Sequence, residues 1–432
     1  MPNNILVIGS GAREHAILWQ LAQSRRRGHR DIGQLYAAPG NAGTARLATN
    51  LPIQANDVLE LCRFAKSNQV RLTIVGPEAP LAMGIVDAFR ARGLLIFGPT
   101  RSAAEIEWSK DFGKRLMQQN YIPTAHARMF DQLEQALDYV NRQSLPLVIK
   151  ASGLAAGKGV YICHTVAEAE AALQALMHDG AHNCAGSTVV IEEYLEGEEI
   201  SVHAFCDGRS WALTPPAQDH KRVFDGDRGP NTGGMGAIAP VPWTTPELLN
   251  KIGRIAVAPA LNALNLNHRV FRGVLFPGLM VTDDGPKVLE YNARFGDPEA
   301  SCLMRLLQTS LFDIVEACLE GSLSELPISW RPGFAVSVVL ASGGYPGRHV
   351  INYPITGLAQ ANKVPGVVIF HAATKTIDGQ LYTAGGRVLN ITATGRTLQE
   401  ALNRAYRAVG HIHFYDMHYR TDIGAKALTR NT

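Results

Sequence analysis

The chain contains 432 residues, 46% of them hydrophobic and 18% charged, which is typical of folded globular proteins rather than disordered ones. This length allows roughly three domains, each with its own core. The formal net charge of +3 gives no basic footprint for nucleic acid, and no run of about eighteen apolar residues predicts a membrane-spanning helix. We therefore expect a soluble, cytoplasmic protein. The charge does not exclude a small anionic substrate. The six cysteines have no C-x-x-C spacing and are expected to be reduced structural thiols.

Short apolar runs alternate with helix-length segments through the first hundred residues. Each run is long enough for one strand, and amphipathic stretches at 13–22 and 57–68 lie between the runs, as in a parallel α/β sheet. The four runs are ILVI (5–8), LYAA (35–38), LTIV (72–75) and LLIF (94–97). We predict an α/β domain over residues 1–104.

The middle of the chain predicts an α+β domain over residues 105–329. Helices are expected over 102–120, 131–143 and 166–178, and the first two are separated by the Pro-containing junction Tyr121-Ile-Pro-Thr. Four runs are predicted to pair as antiparallel strands around the third helix: LVIK (147–150), GVYIC (159–163), TVVIEEYL (188–195) and ISVHAFC (200–206). Two further strands are expected at 274–281 and 286–291.

The last segment predicts a β-rich domain over residues 330–432. Its strand-sized runs are FAVSVVLA, VVIF and RVLNITA, and a helix is expected over 397–409. We find no internal repeat and no low-complexity tract in the chain.

The first motif is VIGSGAREHA (7–16), in which a strand runs through Gly9-x-Gly11 into a helix. A dinucleotide-binding turn would place a third glycine where Glu14 stands and an acidic residue at the end of the second strand, and both are missing. A tight strand-to-helix turn also explains the two glycines. What remains is a helix N-terminus with exposed amides, suited to the phosphate of a ligand other than NAD.

Two more loops follow strands of the same predicted sheet, PGNAG at 39–43 and GPEAPL at 76–81. The carboxyl ends of parallel strands lie at one edge of a sheet. We therefore expect all three loops to meet around one ligand.

The stretch LVIKASGLAAGKGVYI (147–162) contains a glycine-rich loop that departs from a Walker A loop. Only three residues separate Gly153 from Gly157, and Gly159 stands where Walker A has Ser or Thr. Lys150 ends the preceding strand, so a mobile loop could cover phosphates in a different way. The acidic stretch IEEYLEGEE (191–199) would by itself be a solvated turn, but beside Lys150 and this loop it favours an adenine and ribose site.

The stretch VLEYNARFGDPE (288–299) carries paired oxygen donors. Glu290 and Asn292 are two residues apart on a predicted strand, so their side chains face one way. Such a pair suits Mg²⁺, which takes one or two protein oxygens and completes its shell with phosphate and water. Arg294 would continue on that face and offer a fork to phosphate or carboxylate. A solvated face of a sheet would also explain the polar residues of this stretch. A polar surface turn would similarly explain the stretch QDHKR (218–222).

Taken in order, these motifs resemble the phosphoribosylamine–glycine ligase family, also called glycinamide ribonucleotide synthetases, of the ATP-grasp superfamily. The resemblance runs from about residue 4 to residue 426. It rests on VIGSGAREHA, APGNAG, GPEAPL, IFGPT, SKDFGK, KASGLAAGKGV, EEYLEGEEIS, QDHKR, GPNTGGMGA, EYNARFGDPE, GGYPG and GGRVL. It implies an ATP-grasp fold with an N-terminal parallel α/β domain, a mobile lid at about 125–195 and a C-terminal β-rich domain.

The resemblance also implies roles for the matching residues. The implied ATP-binding residues are Lys110, Lys150, Gly153, Gly157, Lys158, Gly159, Glu192, Glu193, Tyr194, Leu195 and Glu199, with the adenine against 192–195 and Glu199 on the ribose. The implied ligands of Mg²⁺ (or Mn²⁺) are Glu290 and Asn292, and the implied catalytic residues are Arg294, Lys221 and Asp219. The implied substrate-binding residues are Gly9, Gly11, Glu14, Gly40, Asn41, Pro77, Glu78, Asp219, Arg294 and Asp297.

The implied activity is that of a monomer that joins glycine to 5-phosphoribosylamine in de novo purine synthesis. The carboxylate of glycine would attack the γ-phosphate of ATP, and the amine would then displace phosphate from glycyl phosphate. Acyl phosphates hydrolyse readily, so a closed loop that excludes water is required. Four residues depart from the family pattern, Ser152, Ala293, Ala300 and Ser301, but none is an implied metal or ATP ligand, so activity is expected.

Three other readings stay open at this point. Another ATP-grasp ligase or carboxylase would share the ATP-binding residues. An NAD-dependent oxidoreductase is suggested only by Gly9-x-Gly11. A catalytically silent nucleotide-binding protein would need to lack Lys110, Lys150, Glu290 or Asn292, all of which are present.

Overall fold

The structure is a computed structural model that describes residues 3–26, 32–153, 159–178 and 188–429. No helix within these ranges is long and apolar enough to cross a membrane. The cysteines within the same ranges are buried and free, in line with the expectation: Cys62, Cys163, Cys206, Cys302 and Cys318. Cys184 lies outside the described residues.

The N-terminal domain is built on a parallel five-stranded sheet in the order β3-β2-β1-β4-β5. Its strands are β1 (Asn3–Gly9), β2 (Ile32–Pro39), β3 (Thr49–Asn50), β4 (Val70–Val75) and β5 (Ile96–Phe97), and its helices are α1 (Ala12–Arg26), α2 (Val58–Ser67), α3 (Glu78–Ala82) and α4 (Ile85–Arg90). Alternate side chains of β1 enter two different cores, because both faces of the sheet are covered. The predicted sheet is confirmed, although the last run pairs over only two residues and β3 was not predicted.

The helix predicted over 102–120 is two helices, α5 (Arg101–Trp108) and α6 (Lys110–Gln119). The break lies at Ser109, whose backbone is extended. Its Oγ accepts a hydrogen bond from the N–H of Phe112 at 3.2 Å and so caps the second helix. A serine that competes for backbone hydrogen bonds favours such a cap over a helix interior.

Next in the chain is a small antiparallel sheet in the order β6-β9-β7-β8. Its strands are β6 (Ala127–Phe130), β7 (Leu147–Ala151), β8 (Val160–Cys163) and β9 (Val189–Glu193), and its helices are α7 (Leu133–Val140) and α8 (Val166–Leu173), the latter extended by a π-helical turn at Gln174–His178. Three of the four predicted strands pair as expected. The prediction that ISVHAFC joins them is wrong, because β6 takes the edge beside β9 instead.

The ISVHAFC segment belongs to a second sheet, which is organised around a strand of eleven residues, β17. The strands of this sheet are β10 (Glu198–Ser201), β11 (Ala204–Asp207), β12 (Trp211–Leu213), β17 (Arg272–Thr282) and β18 (Gly285–Asn292). The strand β17 is long enough to pair with β10 and β11 along one edge and with β18 along the other. Helices α9 (Pro246–Ile252) and α10 (Ala258–Leu266) share a core with this sheet.

The C-terminal part is built on a six-stranded antiparallel sheet. Its strands are β13 (Gln218–Asp219), β16 (Gly236–Ala239), β19 (Phe334–Ser342), β20 (Val367–His371), β23 (Arg387–Gly395) and β24 (Met417–His418); two hairpins lie outside it, β14 (Arg222–Phe224) with β15 (Arg228–Asn231) and β21 (Thr374–Ile377) with β22 (Gln380–Thr383). The remaining helices are α11 (Glu299–Leu306), α12 (Leu311–Glu320), α13 (Leu358–Ala361), α14 (Leu398–Val409) and α15 (Ala425–Thr429). Two of the strands come from before residue 330, so the central and C-terminal segments share a sheet, and the predicted division into three domains stays a prediction.

His220 joins the central segment to the C-terminal segment. Its imidazole is buried; Nε2 accepts a hydrogen bond from the N–H of Gly424 at 3.0 Å, and Nδ1 lies 3.3 Å from the carbonyl oxygen of Gly236. These partners require a neutral ring with its hydrogen on Nδ1. Burial, reinforced by Arg420, lowers the pKa of His220 to about 4. His220 is thus a buried structural residue, and the alternative of a polar surface turn does not hold at this position of QDHKR.

We expect His220 to reduce the stability of the fold in mild acid. Its pKa is depressed in the folded chain, so between about pH 6.5 and 4 the unfolded chain binds the extra proton, and the free energy of unfolding falls as pH falls. At pH 5 the loss is about 2 kcal/mol. His220→Gln keeps an acceptor near Nε2 without titrating and should remove that part of the pH dependence.

Chemical unfolding at pH 7.5 and pH 5 measures the effect. The exposed His411 provides the control variant His411→Gln, which should keep the full pH dependence. A pH dependence unchanged in His220→Gln would contradict the prediction.

Candidate active site

A cavity lies between helix α6 and strands β7, β9 and β18, where the two sheets of the central part meet. Its charged lining is Glu107, Lys110, Lys114, Lys150, Glu192 and Glu290. Its apolar lining includes Ile106, Met117 and Tyr291. The cavity therefore brings together residues that are far apart in sequence. Lys110, Lys150 and Glu192 were expected to bind ATP and Glu290 to bind the metal, whereas Glu107 and Lys114 were not predicted.

Glu192 is the buried centre of this charge cluster. Its carboxylate lies 2.8 Å from Nζ of Lys150 and 3.0 Å from Nζ of Lys114, and all three side chains are less than a tenth exposed. Burial alone would raise the pKa of Glu192, but the two ammonium groups lower it below its usual value. Burial also lowers the pKa of Lys114 to about 8. The Glu192 side chain thus holds two lysines, whereas the sequence analysis expected only its backbone to face adenine.

Glu290 lies at a β-bulge, a feature common beside active sites. The pairing of β17 with β18 shifts by one residue at Leu289, whose carbonyl oxygen accepts a hydrogen bond from Nζ of Lys150 at 3.2 Å. Glu290 Oε2 lies 2.6 Å from Nζ of Lys110. The positive charge of Lys110 is the main cause of the lowered pKa of Glu290, so this carboxyl is ionised at neutral pH. Asn292 follows two residues later, and Tyr291 between them is buried on the other side.

Lys110 begins helix α6 beside the glycine-rich loop. The N–H of Asp111, in the first turn of that helix, donates to Oγ of Ser152 at 3.0 Å. Ser152 is one of the departures from the family pattern, and here it satisfies a free amide of the helix end. Gly153 and Gly159 lie at the two ends of the loop, while Gly157 and Lys158 lie outside the described residues.

The segment assigned to adenine and ribose begins where strand β9 ends. Tyr194 and Leu195 follow Glu193 outside the sheet, with Leu195 buried and Tyr194 partly exposed. The carboxylate of Glu193 accepts a hydrogen bond from the N–H of His126 at 2.9 Å. Glu199, four residues beyond Leu195, forms an ion pair with Lys221.

Lys221 and Asp219, from QDHKR, reach the same cleft from strand β13 and the residues after it. Burial opposes the charge of Lys221, but Glu199, Glu290 and Asp219 raise its pKa. Burial, followed by the nearby Glu299, raises the pKa of Asp219 well above its usual value. Oδ1 of Asp219 is buried and has no hydrogen-bond partner among the described residues. This polar atom is therefore available to a ligand.

The sequence predicted that Arg294 would continue the face of strand β18. This prediction is wrong, because β18 ends at Asn292. The backbone N–H of Ala293, which follows Asn292, donates to the carboxylate of Glu107 at 2.7 Å. The guanidinium pairs with Glu78 at 3.2 Å and with Glu107 at 2.9 Å. Burial opposes this charge, but the two carboxylates raise the pKa of Arg294, and Arg294 helps to lower that of Glu78 to about 2. Arg294 thus links the third N-terminal loop, which contains Pro77 and Glu78, to the end of β18.

The three N-terminal loops do meet at the carboxyl edge of the parallel sheet. The carboxylate of Glu14 accepts a hydrogen bond from the N–H of Gly11 at 2.6 Å and also lies against Gly9 and Gly76, where an added Cβ would collide with it. The N–H of Gly40 donates to the carbonyl oxygen of Gly9 at 3.1 Å. The Gly11 amide, which was expected to face a phosphate, is therefore already occupied by a carboxylate.

Asn41 has a structural place at this edge. It is buried, and its Nδ2 donates to the carbonyl oxygens of Ser10 and His371, each at 2.8 Å. The second of these bonds ties the loop to strand β20 of the C-terminal sheet.

Sequence analysis missed Arg387, which lies in the motif GGRVL. Its guanidinium donates to the carbonyl oxygens of Gly233 and, at 2.7 Å, of Asp297, and it lies 3.3 Å from the Asp297 carboxylate. An added Cβ at Gly11 would lie 3.3 Å from that same carboxylate. Residues of all three segments thus converge at Asp297. No local signal identifies Arg387, since its partners are distant in sequence, whereas Lys114 could have been found four residues after Lys110 on one helix face.

The family models of phosphoribosylglycinamide synthetase match three consecutive parts of the chain. The N domain matches residues 3–107, the ATP-grasp (A) domain residues 108–300 and the C domain residues 335–426. The chain is 47% identical over 430 residues to the phosphoribosylamine–glycine ligase of Pseudomonas aeruginosa and 45% identical over 429 residues to that of Vibrio cholerae, with 99% of both chains covered in each case.

Solved structures show the same similarity. A phosphoribosylamine–glycine ligase from Thermotoga maritima superposes with a TM-score of 0.82 at 34% identity, over 97% of this chain and 100% of that one. The biotin carboxylase domain of a 2-oxoglutarate carboxylase from Hydrogenobacter thermophilus superposes with a TM-score of 0.74, over 96% of this chain and 91% of that one. At 15% identity this second similarity shows the fold alone.

We expect the charge of Glu192 to contribute strongly to stability. Glu192→Gln keeps the shape of the side chain but leaves the ammonium groups of Lys114 and Lys150 without their shared carboxylate. Removing one partner of a buried ion pair costs roughly 3–5 kcal/mol of unfolding free energy. Urea unfolding at pH 7 measures this loss. Glu193→Gln is the matched control, because Glu193 is exposed and glutamine keeps its acceptor; equal effects of the two substitutions would show that the buried charge is unimportant.

Proposed function

The chain belongs to the phosphoribosylglycinamide synthetase family, and we propose that the cavity between α6 and β18 is where it uses ATP to join glycine to 5-phosphoribosylamine. The chain is an ADP-forming ligase of purine biosynthesis that acts on small-molecule substrates and yields glycinamide ribonucleotide.

The observation that carries the proposal is the arrangement of lysines around Glu290. Lys110 contacts the Glu290 carboxylate directly, and Lys150 bonds to the carbonyl oxygen of the residue before it. Lys221 is close enough for Glu290 to raise its pKa. Three cations around one carboxylate suit a polyphosphate that carries a divalent cation, because each phosphate oxygen then meets a fixed positive charge. The loop from Gly153 to Gly159, with Gly157 and Lys158, would cover these phosphates.

The residues fit a magnesium ion. Glu290 is ionised and partly exposed, and Asn292 presents an amide oxygen from the same strand, so the donors are hard oxygens and few in number. Glu290 and Asn292 would hold Mg²⁺, which would supply positive charge that offsets the negative charge developing during phosphoryl transfer. Lys110 would then exchange the Glu290 carboxylate for phosphate oxygens. Mn²⁺ in place of Mg²⁺ is a further part of the proposal, which metal substitution tests.

The nucleotide would lie across the end of strand β9. Adenine would bond to backbone groups at 192–195 and pack on Leu195, and the ribose would bond to the carboxylate of Glu199. Glu192 and Glu193 would act differently from each other. The first orients Lys114 and Lys150, and the second fixes the strand end to the backbone of His126.

The chemistry then proceeds in two transfers. The carboxylate of glycine attacks the γ-phosphorus in line and ADP leaves, while Lys110, Lys150 and Arg294 offset the negative charge on the transferred group. The amine of 5-phosphoribosylamine attacks the carbonyl carbon of glycyl phosphate, and phosphate leaves. The amine loses a proton in this step, and we assign its acceptance to Asp219, whose Oδ1 has no hydrogen-bond partner among the described residues.

5-Phosphoribosylamine would bind between the N-terminal loops and the segment that contains Asp297. Three carboxylates line this region, those of Glu14, Glu78 and Asp297, and carboxylates accept hydrogen bonds from hydroxyl and amine groups. Since Glu14 occupies the Gly11 amide, the ribosyl hydroxyls fit this cluster better than the phosphate does. The phosphate is left to loop groups that Glu14 does not use, such as the exposed Ser10.

Release of ADP tests the overall assignment. Turnover should require both glycine and freshly prepared 5-phosphoribosylamine. Bicarbonate in place of glycine should give no product, which separates this reading from that of a carboxylase of the same fold. A monomer and a cytoplasmic location complete the proposal, and light scattering and cell fractionation test them.

We predict that Glu290→Ala lowers turnover by at least a hundredfold while the fold is retained, because one of two metal ligands is lost. The same variant should weaken the Mg²⁺-dependent part of ADP affinity, measured by calorimetry with and without Mg²⁺. Glu134→Ala, at an exposed position of α7, is the control and should change neither quantity. Near-normal turnover with unchanged Mg²⁺ dependence in Glu290→Ala would remove Glu290 from the metal site.

We predict that Gly11→Asp raises the KM for 5-phosphoribosylamine at least tenfold and leaves the KM for ATP nearly unchanged. A side chain at this position would meet the carboxylates of Glu14 and Asp297 at 2.8 and 3.3 Å, so the new charge enters an acidic cluster. Gly410→Asp adds the same charge at an exposed position with right-handed backbone, where an added Cβ meets no atom closer than 3.6 Å, and should leave both constants unchanged. An equal rise of both KM values in Gly11→Asp would indicate general misfolding rather than a substrate site.

A further inference from the structure

A second cavity, open to solvent, lies between the end of helix α11 and the start of helix α14. Its volume is about 200 Å³. Four arginines line it, Arg305, Arg331, Arg396 and Arg404, against one carboxylate, Glu400. None of these residues belongs to the proposed catalytic site, and the cavity is left with a positive charge that the protein does not balance.

The one carboxylate is already engaged. Oε1 of Glu400 lies 2.5 Å from Nη2 of Arg404, and Oε2 accepts a hydrogen bond from the backbone N–H of Arg396 at 2.6 Å. Among the residues that the structure describes, the guanidinium groups of Arg305, Arg331 and Arg396 form no ion pair with a carboxylate. Three positive charges therefore remain around the cavity.

Arg305 is held rigidly at the base of the cavity. Its Nη2 donates to the carbonyl oxygen of Gly366 at 2.8 Å, and its guanidinium stacks 4.9 Å above the ring of Trp19. Its Nε is buried and has no hydrogen-bond partner among the described residues. Burial, with the nearby Arg331, lowers the pKa of Arg305 to about 10, so it stays charged at neutral pH. A buried, charged donor without an acceptor is costly, and an anion in the cavity would remove that cost.

We propose that this cavity is a binding site for a phosphate group, separate from the catalytic site. Guanidinium forks match the tetrahedral oxygens of phosphate and can each donate two hydrogen bonds. A phosphate dianion also offsets more of the excess charge than a monocarboxylate does. Two of the arginines precede strand β19 of the C-terminal sheet and two follow its strand β23, so a bound phosphate ties these segments together.

The phosphate could be inorganic phosphate or a phosphate ester, and both are present during the reaction. Calorimetry and thermal unfolding at constant ionic strength, with the catalytic nucleotide site filled by MgADP, should show binding of inorganic phosphate. Ribose 5-phosphate in a parallel titration separates the two sources. Tighter binding of ribose 5-phosphate assigns the site to phosphate esters, and tighter binding of inorganic phosphate assigns it to the free ion.

The test variant is Arg331→Ala with Arg396→Ala. Both side chains are exposed, and the backbone bond of Arg331 to Leu306 is kept, so folding should be unaffected. Affinity for both ligands at this site should fall at least tenfold, and the rise of Tm with phosphate should shrink accordingly. The control is Arg63→Ala with Arg92→Ala, which removes the same charge from exposed positions elsewhere. Equal binding and equal Tm shifts in the two double variants would overturn the proposal.

Discussion

The structure of the proposed nucleotide site depends on the burial of one carboxylate between two ammonium groups. Glu192, Lys114 and Lys150 come from three elements, β9, α6 and β7, and each side chain is almost completely removed from water. Charges in such a place are tolerated only if each one is paired and hydrogen-bonded. If helix α6 began at another residue, or if β7 or β9 changed register, one of these buried charges would lose its partner. The position of Lys110 on the rim of the cavity follows from the same constraint, because Lys110 is one helical turn before Lys114.

A second constraint operates where the three segments meet. Asp297 contacts Arg387 from the C-terminal sheet and lies beside Gly11 from the N-terminal sheet. The carboxylate of Glu14 occupies space that side chains at Gly9, Gly11 and Gly76 would otherwise take, so these glycines are required by close packing as much as by any ligand.

Much of this arrangement was predictable from the sequence, and the errors have physical causes. The N-terminal sheet followed from the alternation of apolar runs, and the meeting of its loops followed from parallel topology alone. Strand pairing in the middle of the chain was harder, because nothing local in ISVHAFC shows that its partner is β17, about seventy residues later. The break at Ser109 was encoded locally but was hidden by the helical pattern on both sides. Arg387 was missed because its contacts form only when three segments of the chain assemble. Whether the Gly11 amide faces a ligand or Glu14 could not be decided without interatomic distances.

Helix α11 relates the two charged regions of the molecule. Its eight residues begin with Glu299, beside Asp219 in the catalytic cleft, and Arg305 lies in its last turn at the arginine cavity. An acidic residue in the first turn and a basic one in the last turn both agree with the helix dipole, which offsets part of the cost of burying each charge. The helix is about 12 Å long and packs on the C-terminal sheet, so it behaves as a rigid connection. One helix thus carries both Arg305, which lines the arginine cavity, and Glu299, which is one of the groups that raise the pKa of Asp219.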